Sequence, residues 1–153
     1  MASEMGAKNA VFPADKTLRK FYTEKVTQVW ADEGARYIKE IEIELNDIFP
    51  VVAAPHHVDN ILSVSDAAGT VVHEGLIGTC TNGRIEDLRI AASILKGKKI
   101  KNGFQLNVIP ASRKIFLQAI EEGLISTFVE SGSNVLTPSC GPCLGTGQGI
   151  PAN

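Results

Sequence analysis

In residues 70–140, strand-like hydrophobic runs alternate with helical ones, and a turn separates each strand-like run from the helical run that follows it. The strand-like runs are TVVHEGLIGTC, FQLNVIPAS and NVLTPSC, and the helical runs between them are IEDLRIAASILKG, SRKIFLQAIEEG and LISTFVESG. Strands that alternate with helices of about 10–15 residues are typical of βαβ units. This alternation predicts an α/β fold with a mostly parallel sheet.

The helical runs also predict which side chains face the core. Apolar residues three and four positions apart form one face of a helix, and a glycine past the last of them favours a helix end. The first helix is expected to end at Gly97 and the second at Gly123. The residues expected to point inward are Ile85, Leu88, Ala92 and Leu95 in the first helix, and Ile115, Phe116, Ala119 and Ile120 in the second.

The N-terminal third of the chain carries different patterns. Residues 14–30 space their apolar side chains as an amphipathic helix, with Asp15 as its N-cap. Residues 37–48 alternate glutamate with isoleucine and leucine, which predicts a strand with one solvated face. Residues 49–66 contain two prolines and two adjacent histidines, and predict an irregular connection with one short strand.

Length and charge limit the class of protein. A chain of 153 residues is expected to form one domain with a substantial core. The net charge of -2 gives no basic footprint for nucleic acid. No apolar run reaches the roughly 18 residues of a membrane span, and the first residues do not form a signal peptide. We expect a cytoplasmic protein that binds neither nucleic acid nor membrane.

Cys80, Cys140 and Cys143 are the only cysteines, and Cys140 and Cys143 form the motif CGPC. An odd number of cysteines argues against a secreted disulfide framework and leaves a metal site, a redox pair or inert buried thiols. A thioredoxin-like redox pair needs a helix after its first cysteine, because the helix N-terminus lowers the pKa of that thiol. Here LGTGQGIP follows, with three glycines and a proline, and this composition disfavours a helix.

A zinc site and inert buried thiols are also disfavoured, but both remain alternative interpretations of the cysteines. A structural zinc site would need His56, His57 or His73 as a fourth ligand, at a spacing that fits no common pattern. Glycine-rich surroundings make core packing a poor reason for the cysteines. An iron–sulfur cluster with three protein ligands would account for the odd count, because it leaves one iron open to act as a Lewis acid.

Two longer motifs add a resemblance to this interpretation. The segments IGTCTNGRIEDLRIAA at residues 77–92 and TPSCGPCLG at residues 137–145 resemble the two cluster signatures of the aconitase superfamily, and in particular its isopropylmalate dehydratase and homoaconitase large subunits. The resemblance implies a three-layer α/β/α fold with a mostly parallel sheet. It also implies that Cys80, Cys140 and Cys143 bind the irons of a 4Fe-4S cluster.

The resemblance extends to the first residues, MASEMGAKNAVFP. It implies that Glu4 is the family's catalytic glutamate, which reaches the cluster and the hydroxyl bound there. The remaining catalytic residues of the family would lie outside this chain, in an N-terminal domain, a C-terminal part and a separate small subunit. Residues 1–153 would then be one cluster-binding α/β domain of a longer large subunit, inactive alone.

The function implied is that of a hydro-lyase, which dehydrates and rehydrates a 2- or 3-hydroxy carboxylic acid with two or three carboxylates. Isopropylmalate, an intermediate of leucine biosynthesis, is the expected substrate, and a homoaconitase or a methylmalate or citramalate dehydratase is the alternative. Two other classes stay open: a CGPC thiol-disulfide oxidoreductase, and a regulatory iron–sulfur module that binds RNA when its cluster is lost. The net charge of -2 disfavours the second of these.

Overall fold

The computed structural model of the chain describes residues 6–22, 26–147 and 150. The chain divides into two compact units, Met1–Phe49 and Pro50–Asn153. The sequence predicts one domain, and the domain organisation of the intact protein stays a prediction.

In residues 6–22 and 26–49, the first unit contains one short helix, α1, at Leu18–Phe21, and one 3-10 turn at Leu45–Asp47. The N-cap of α1 is Thr17, whose side chain makes no capping hydrogen bond, and not Asp15 as predicted. Asp15 lies two positions earlier, and its Oδ1 atom accepts a hydrogen bond of 2.8 Å from the backbone N–H of Leu18. The prediction that the helix continues to residue 30 is wrong, since residues 26–30 have no regular structure; residues 23–25 lie outside the described residues. The side chain of Trp30 is 61% exposed. Helices this short depend on packing of their apolar face, and an exposed Trp30 supplies none to a longer helix.

The strand predicted at residues 37–48 is also wrong. Residues 37–44 are irregular, and the side chains of Ile41 and Ile43 are largely exposed. The alternating pattern is present, but a strand needs a hydrogen-bonded neighbour to be stable. The described part of the first unit offers this segment no partner strand.

The second unit begins with an antiparallel hairpin. Strand β1, Val51–Ala53, pairs with β2, Ile61–Ser63, and the one-turn helix α2 follows at Val64–Ala67. Ser63 caps α2 by accepting a hydrogen bond of 3.1 Å from the N–H of Asp66. The sequence predicted one short strand in this region, and the structure shows two.

A three-stranded parallel sheet forms the centre of the second unit. Its strands are β3 at Glu74–Gly78, β4 at Gln105–Ile109 and β5 at Asn134–Val135, in the spatial order β3-β4-β5. The register pairs Glu74 with Gln105, and Asn107 with Asn134. The predicted parallel α/β arrangement is confirmed.

Four helices connect these strands: α3 at Thr79–Asn82, α4 at Ile85–Leu95, α5 at Arg113–Glu121 and α6 at Leu124–Ser131. The helices α4, α5 and α6 pack against one another and share one core with the sheet. The centre of this core contains Leu88, Val108, Ala119 and Phe128, and Ile77 and Val135 pack against it.

The predicted inward faces are mostly correct. In α4, Ile85, Leu88 and Ala92 are buried and Leu95 packs against the core. In α5, Ala119 is fully buried, but Ile120 is 52% exposed, contrary to the prediction. Because α5 packs mainly against α4 and α6 rather than against the sheet, its buried stripe is narrower. No helix in the described part of the chain is long and apolar enough to cross a membrane.

Candidate functional site

The cysteines lie in two loops that follow strands of the parallel sheet. Cys80 is in α3, directly after β3, and Cys140 lies five residues after β5, ahead of Cys143. The carboxyl ends of parallel strands meet at one edge of a sheet, which is where ligands bind in open α/β folds. All three thiols are free and exposed. The sequence and the topology therefore bring both cysteine-bearing loops to the same edge.

The turn that carries Cys80 has an unusual backbone. Gly78 has a φ of 124° and Thr79 a φ of 64°, the only positive φ of a non-glycine residue among the described residues. Thr79 is buried, and a β-branched residue in the left-handed region is a genuine outlier. Such conformations persist only where the surrounding structure holds them, and they occur often at functional sites. The Sγ atom of Cys80 lies 3.9 Å from the Oγ1 atom of Thr81.

Gly78 and Gly83 bring this turn into close contact with the end of β4. A Cβ atom on Gly78 would lie 2.0 Å from the carbonyl oxygen of Ile109, and one on Gly83 would lie 2.6 Å from the same oxygen. The N–H of Ala111 donates a hydrogen bond of 2.8 Å to the carbonyl of Gly83. Gly78 and Gly83 thus make room for the backbone of a neighbouring strand.

The residues after Cys80 start helix α4. The N–H of Arg84 donates a hydrogen bond of 3.1 Å to the Oδ2 atom of Asp87, which satisfies the first turn of the helix. Asn82 ends α3 and, with Asp87, lines a groove of about 320 Å³ whose other walls are apolar. Arg84 thus serves the helix start through its backbone.

The loop that carries Cys140 and Cys143 is held by its own backbone. Residues Gly141–Leu144 form a 3-10 turn, in which the N–H of Cys143 donates to the carbonyl of Cys140 at 2.9 Å. The N–H and the hydroxyl of Thr146 both donate to the carbonyl of Gly141, at 3.1 and 3.4 Å. As far as Gly147, the last residue described before a gap, no α-helix follows Cys140. Residues 140–147 therefore lack the helix N-terminus that lowers the pKa of the first cysteine in a thioredoxin-like site.

The structure does not gather the three cysteines into a finished metal site. Among the described residues, no group of three or more histidine, cysteine, aspartate or glutamate side chains is placed to hold a metal ion. His56, His57 and His73 are all exposed, the first two in the connection between β1 and β2. Glu4, the other predicted site residue, lies outside the described residues.

The donor set nevertheless fits an iron–sulfur cluster. Three free, exposed thiols are the ligands that such clusters take, and they sit on loops that leave one edge of the sheet. Binding would require the two loops to bring their sulfur atoms together. The cysteines could be found from their motifs, but nothing in the sequence signalled that Gly78 and Gly83 have Ile109 as their common neighbour.

Comparison with known proteins identifies close relatives. The model of the aconitase family (aconitate hydratase) matches residues 65–153. A 3-isopropylmalate dehydratase large subunit from Archaeoglobus fulgidus is 51% identical over 158 residues, which include 100% of this chain and 38% of the relative. One from Clostridium botulinum is 50% identical over 154 residues, covering 98% of this chain and 37% of its own length.

A protein named for a different substrate is nearly as similar. The methanogen homoaconitase large subunit of Methanocaldococcus jannaschii is 46% identical over 165 residues, which cover 98% of this chain and 39% of that protein. The chain therefore spans less than two fifths of the length of the curated relatives it matches.

Proposed function

Because this chain belongs to the aconitase family, we propose that it is the cluster-binding part of the large subunit of an iron–sulfur hydro-lyase. One observation carries the proposal: two cysteine-bearing loops leave the same edge of a parallel sheet, in a chain 51% identical to a dehydratase large subunit. The free state of all three thiols supports it, since a ligand thiol must be available as thiolate.

In this proposal Cys80, Cys140 and Cys143 are the three protein ligands of a 4Fe-4S cluster. A cluster with three protein ligands supplies, when bound, one open iron that acts as a Lewis acid on a substrate hydroxyl. The turn after β3 presents the exposed Cys80 next to the buried Thr79, and the CGPC loop presents the other two thiols at a 3-10 turn. Glu4 would hold or release a proton at the substrate hydroxyl.

The substrate class is a hydroxy acid with two or three carboxylates. The names of the relatives support isopropylmalate first and homoaconitate second, and a methylmalate or citramalate enzyme of the family stays an alternative. The large-subunit names support a small-subunit partner. We place the protein in the cytoplasm, in leucine biosynthesis if isopropylmalate is its substrate.

The test is anaerobic reconstitution of the 153-residue chain with iron and sulfide, followed by iron and sulfide counting and by EPR after mild oxidation. We expect a three-iron EPR signal, which Cys80→Ser abolishes and which Ser93→Ala, an exposed change on α4, leaves intact. The proposal is abandoned if no cluster forms, and if Cys140 and Cys143 then cycle as a disulfide, the oxidoreductase interpretation takes its place. Mixing the reconstituted chain with a small subunit and following each hydroxy acid would then separate the substrates.

A further inference from the structure

We propose that Gly78 and Gly83 are positioning residues, which lock the turn carrying Cys80 against the end of β4 before any cluster is bound. The part of the chain that the structure describes gives the CGPC loop no such anchor, and in this proposal the loop moves to meet Cys80. This inference rests on the proposed function only in that Cys80 serves as a cluster ligand.

Gly78 holds the N-terminal end of the turn against β4. Its backbone lies so close to β4 that a Cβ atom would be 2.0 Å from the oxygen and 2.8 Å from the carbon of the Ile109 carbonyl. Real Cβ atoms do not approach a backbone atom so closely, and a backbone partner cannot swing aside as a side chain can. The φ of 124° adds a conformational reason for glycine at this position.

Gly83 holds the C-terminal end of the turn against the same strand. A Cβ atom there would lie 2.4 Å from the carbonyl oxygen of Thr79, 2.6 Å from that of Ile109 and 2.8 Å from the nitrogen of Ala111. That nitrogen donates its hydrogen bond to the Gly83 carbonyl at 2.8 Å. Residues 79–82, with Cys80 among them, are therefore fixed between two backbone contacts to one short segment at the end of β4.

Among the residues that the structure describes, no contact of this kind is found for the CGPC loop at Gly145 or Gly147. The backbone hydrogen bonds described for residues 140–147 all join residues within that segment. A Cβ atom on Gly145 would meet no heavy atom within 4 Å, and one on Gly147 would meet only the Cα of Gly141, at 3.9 Å. One ligand is thus pre-positioned by the sheet, whereas the other two sit on a loop that can shift as a unit. Pre-positioning lowers the entropy lost when a ligand is bound.

The test compares Gly83→Ala with two matched glycine changes in the 153-residue chain. Gly75 lies in the same strand as Gly78. The added Cβ atom in Gly75→Ala would lie 2.9 Å from the Cζ atom of Phe104, a side chain that can move aside. In Gly97→Ala the alanine would have to adopt a φ of 72°, but its Cβ atom would meet no heavy atom within 4 Å. Two quantities are followed: hydrogen exchange of the Ala111 amide in the cluster-free protein, and the rate of iron loss from the reconstituted protein.

For Gly83→Ala we expect Ala111 to exchange at least about tenfold faster and iron to be lost at least about tenfold faster, because one hydrogen bond is broken and one ligand is displaced. Neither control should change either quantity by that much. Unchanged exchange at Ala111 would overturn the lock. Faster exchange with unchanged iron loss would overturn its role in positioning Cys80.

Two further outcomes are separable. If the unsubstituted chain forms no cluster, the proposed function fails, while the exchange of Ala111 still decides whether the lock exists. If Gly83→Ala does not fold, judged by far-UV circular dichroism, the protection of the Ala111 amide itself becomes the test. The unsubstituted, cluster-free chain is then measured beside it: an Ala111 amide that exchanges as fast as the Thr146 amide of the CGPC loop would overturn the lock, whereas Asp87→Ala, which removes the hydrogen bond to Arg84 at the start of α4, should leave the exchange of Ala111 unchanged.

Discussion

Arg89 on α4 and Glu122 at the end of α5 form a two-pronged ion pair across 33 positions of the chain. The Nε and Nη2 atoms of Arg89 donate hydrogen bonds of 2.7 Å to the two carboxylate oxygens of Glu122. Gln118 donates a third, of 2.9 Å. The hydrogen bonds from Arg89 are the main reason that the pKa of Glu122 lies below its ordinary value.

This pair predicts a pH-dependent effect of Arg89→Ala. A carboxylate whose pKa is lowered by folding adds stability above its unfolded pKa, and that stability is lost as the pH falls through the folded pKa. The melting temperature of Arg89→Ala should therefore lie below that of the unsubstituted chain at pH 7, and the two should converge below about pH 4. Arg89→Lys, which keeps the charge but loses the paired geometry, should fall between them. A difference that does not depend on pH would contradict this account.

Phe128 on α6 is the largest fully buried side chain of the core. Phe128→Ala should lower the free energy of unfolding by about 3–5 kcal/mol, because it removes apolar contacts and leaves a cavity. The neighbouring Val129 is 60% exposed, and Val129→Ala should change stability by less than about 0.5 kcal/mol. Urea denaturation measures both. Similar losses in the two variants would mean that α6 does not face the core as described.

Asn107 joins all three strands of the parallel sheet through its side chain. Its Nδ2 atom donates to Glu74 Oε1 at 2.6 Å, and its Oδ1 atom accepts from Asn134 at 3.1 Å and from Gln105 at 3.2 Å. Asn107→Asp would put a second carboxylate beside Glu74 in a site that is 1% exposed.

Burial and the nearby carboxylate should both raise the pKa of the introduced aspartate in Asn107→Asp above its unfolded value, so the variant should lose stability as the pH rises. Its deficit should be largest at pH 7 and shrink towards pH 4. Asn102→Asp, in an exposed turn before β4, supplies the matched control and should show no such trend. Urea denaturation at several pH values checks this, and a deficit that grows towards acid pH would refute it.

Ser112 caps helix α5 by accepting a hydrogen bond of 3.3 Å from the N–H of Ile115. Ser112→Ala should lower the free energy of unfolding by about 0.5–2 kcal/mol, whereas Ser112→Gly should cost only a few tenths. The order of the two variants is the informative result, because a glycine weakens most other positions more than alanine does. Equal losses would show that the hydroxyl does not act as a cap.

The sequence predicted the second unit well where the signal is local. Leu88 and Ala92 could be placed in the core from helical spacing alone, and Gly123 marks the end of α5 with a φ of 73°. These features depend on neighbours a few positions away. The same spacing failed for Ile120, whose exposure depends on which helices α5 packs against.

Patterns that need a distant partner were less informative. The alternation of Ile41 and Ile43 with glutamates is as regular as in a true strand, yet no described strand pairs with it. The hairpin of β1 and β2 was only half predicted, because each strand has three residues and gains its hydrogen bonds from the other. Glu4, predicted from resemblance, stays a prediction.

By itself, the sequence determined the order of strands and helices in residues 70–140, the helix ends at glycine and the three cysteines in their two motifs. Only the tertiary structure decided that the Gly83 carbonyl accepts from Ala111, 28 positions later, and that Gly78 meets Ile109. Hydrophobic period and turn chemistry act through adjacent residues and can be read along the chain. Backbone contact between two strands depends on how the sheet is assembled, and that arrangement exists only once the chain has folded.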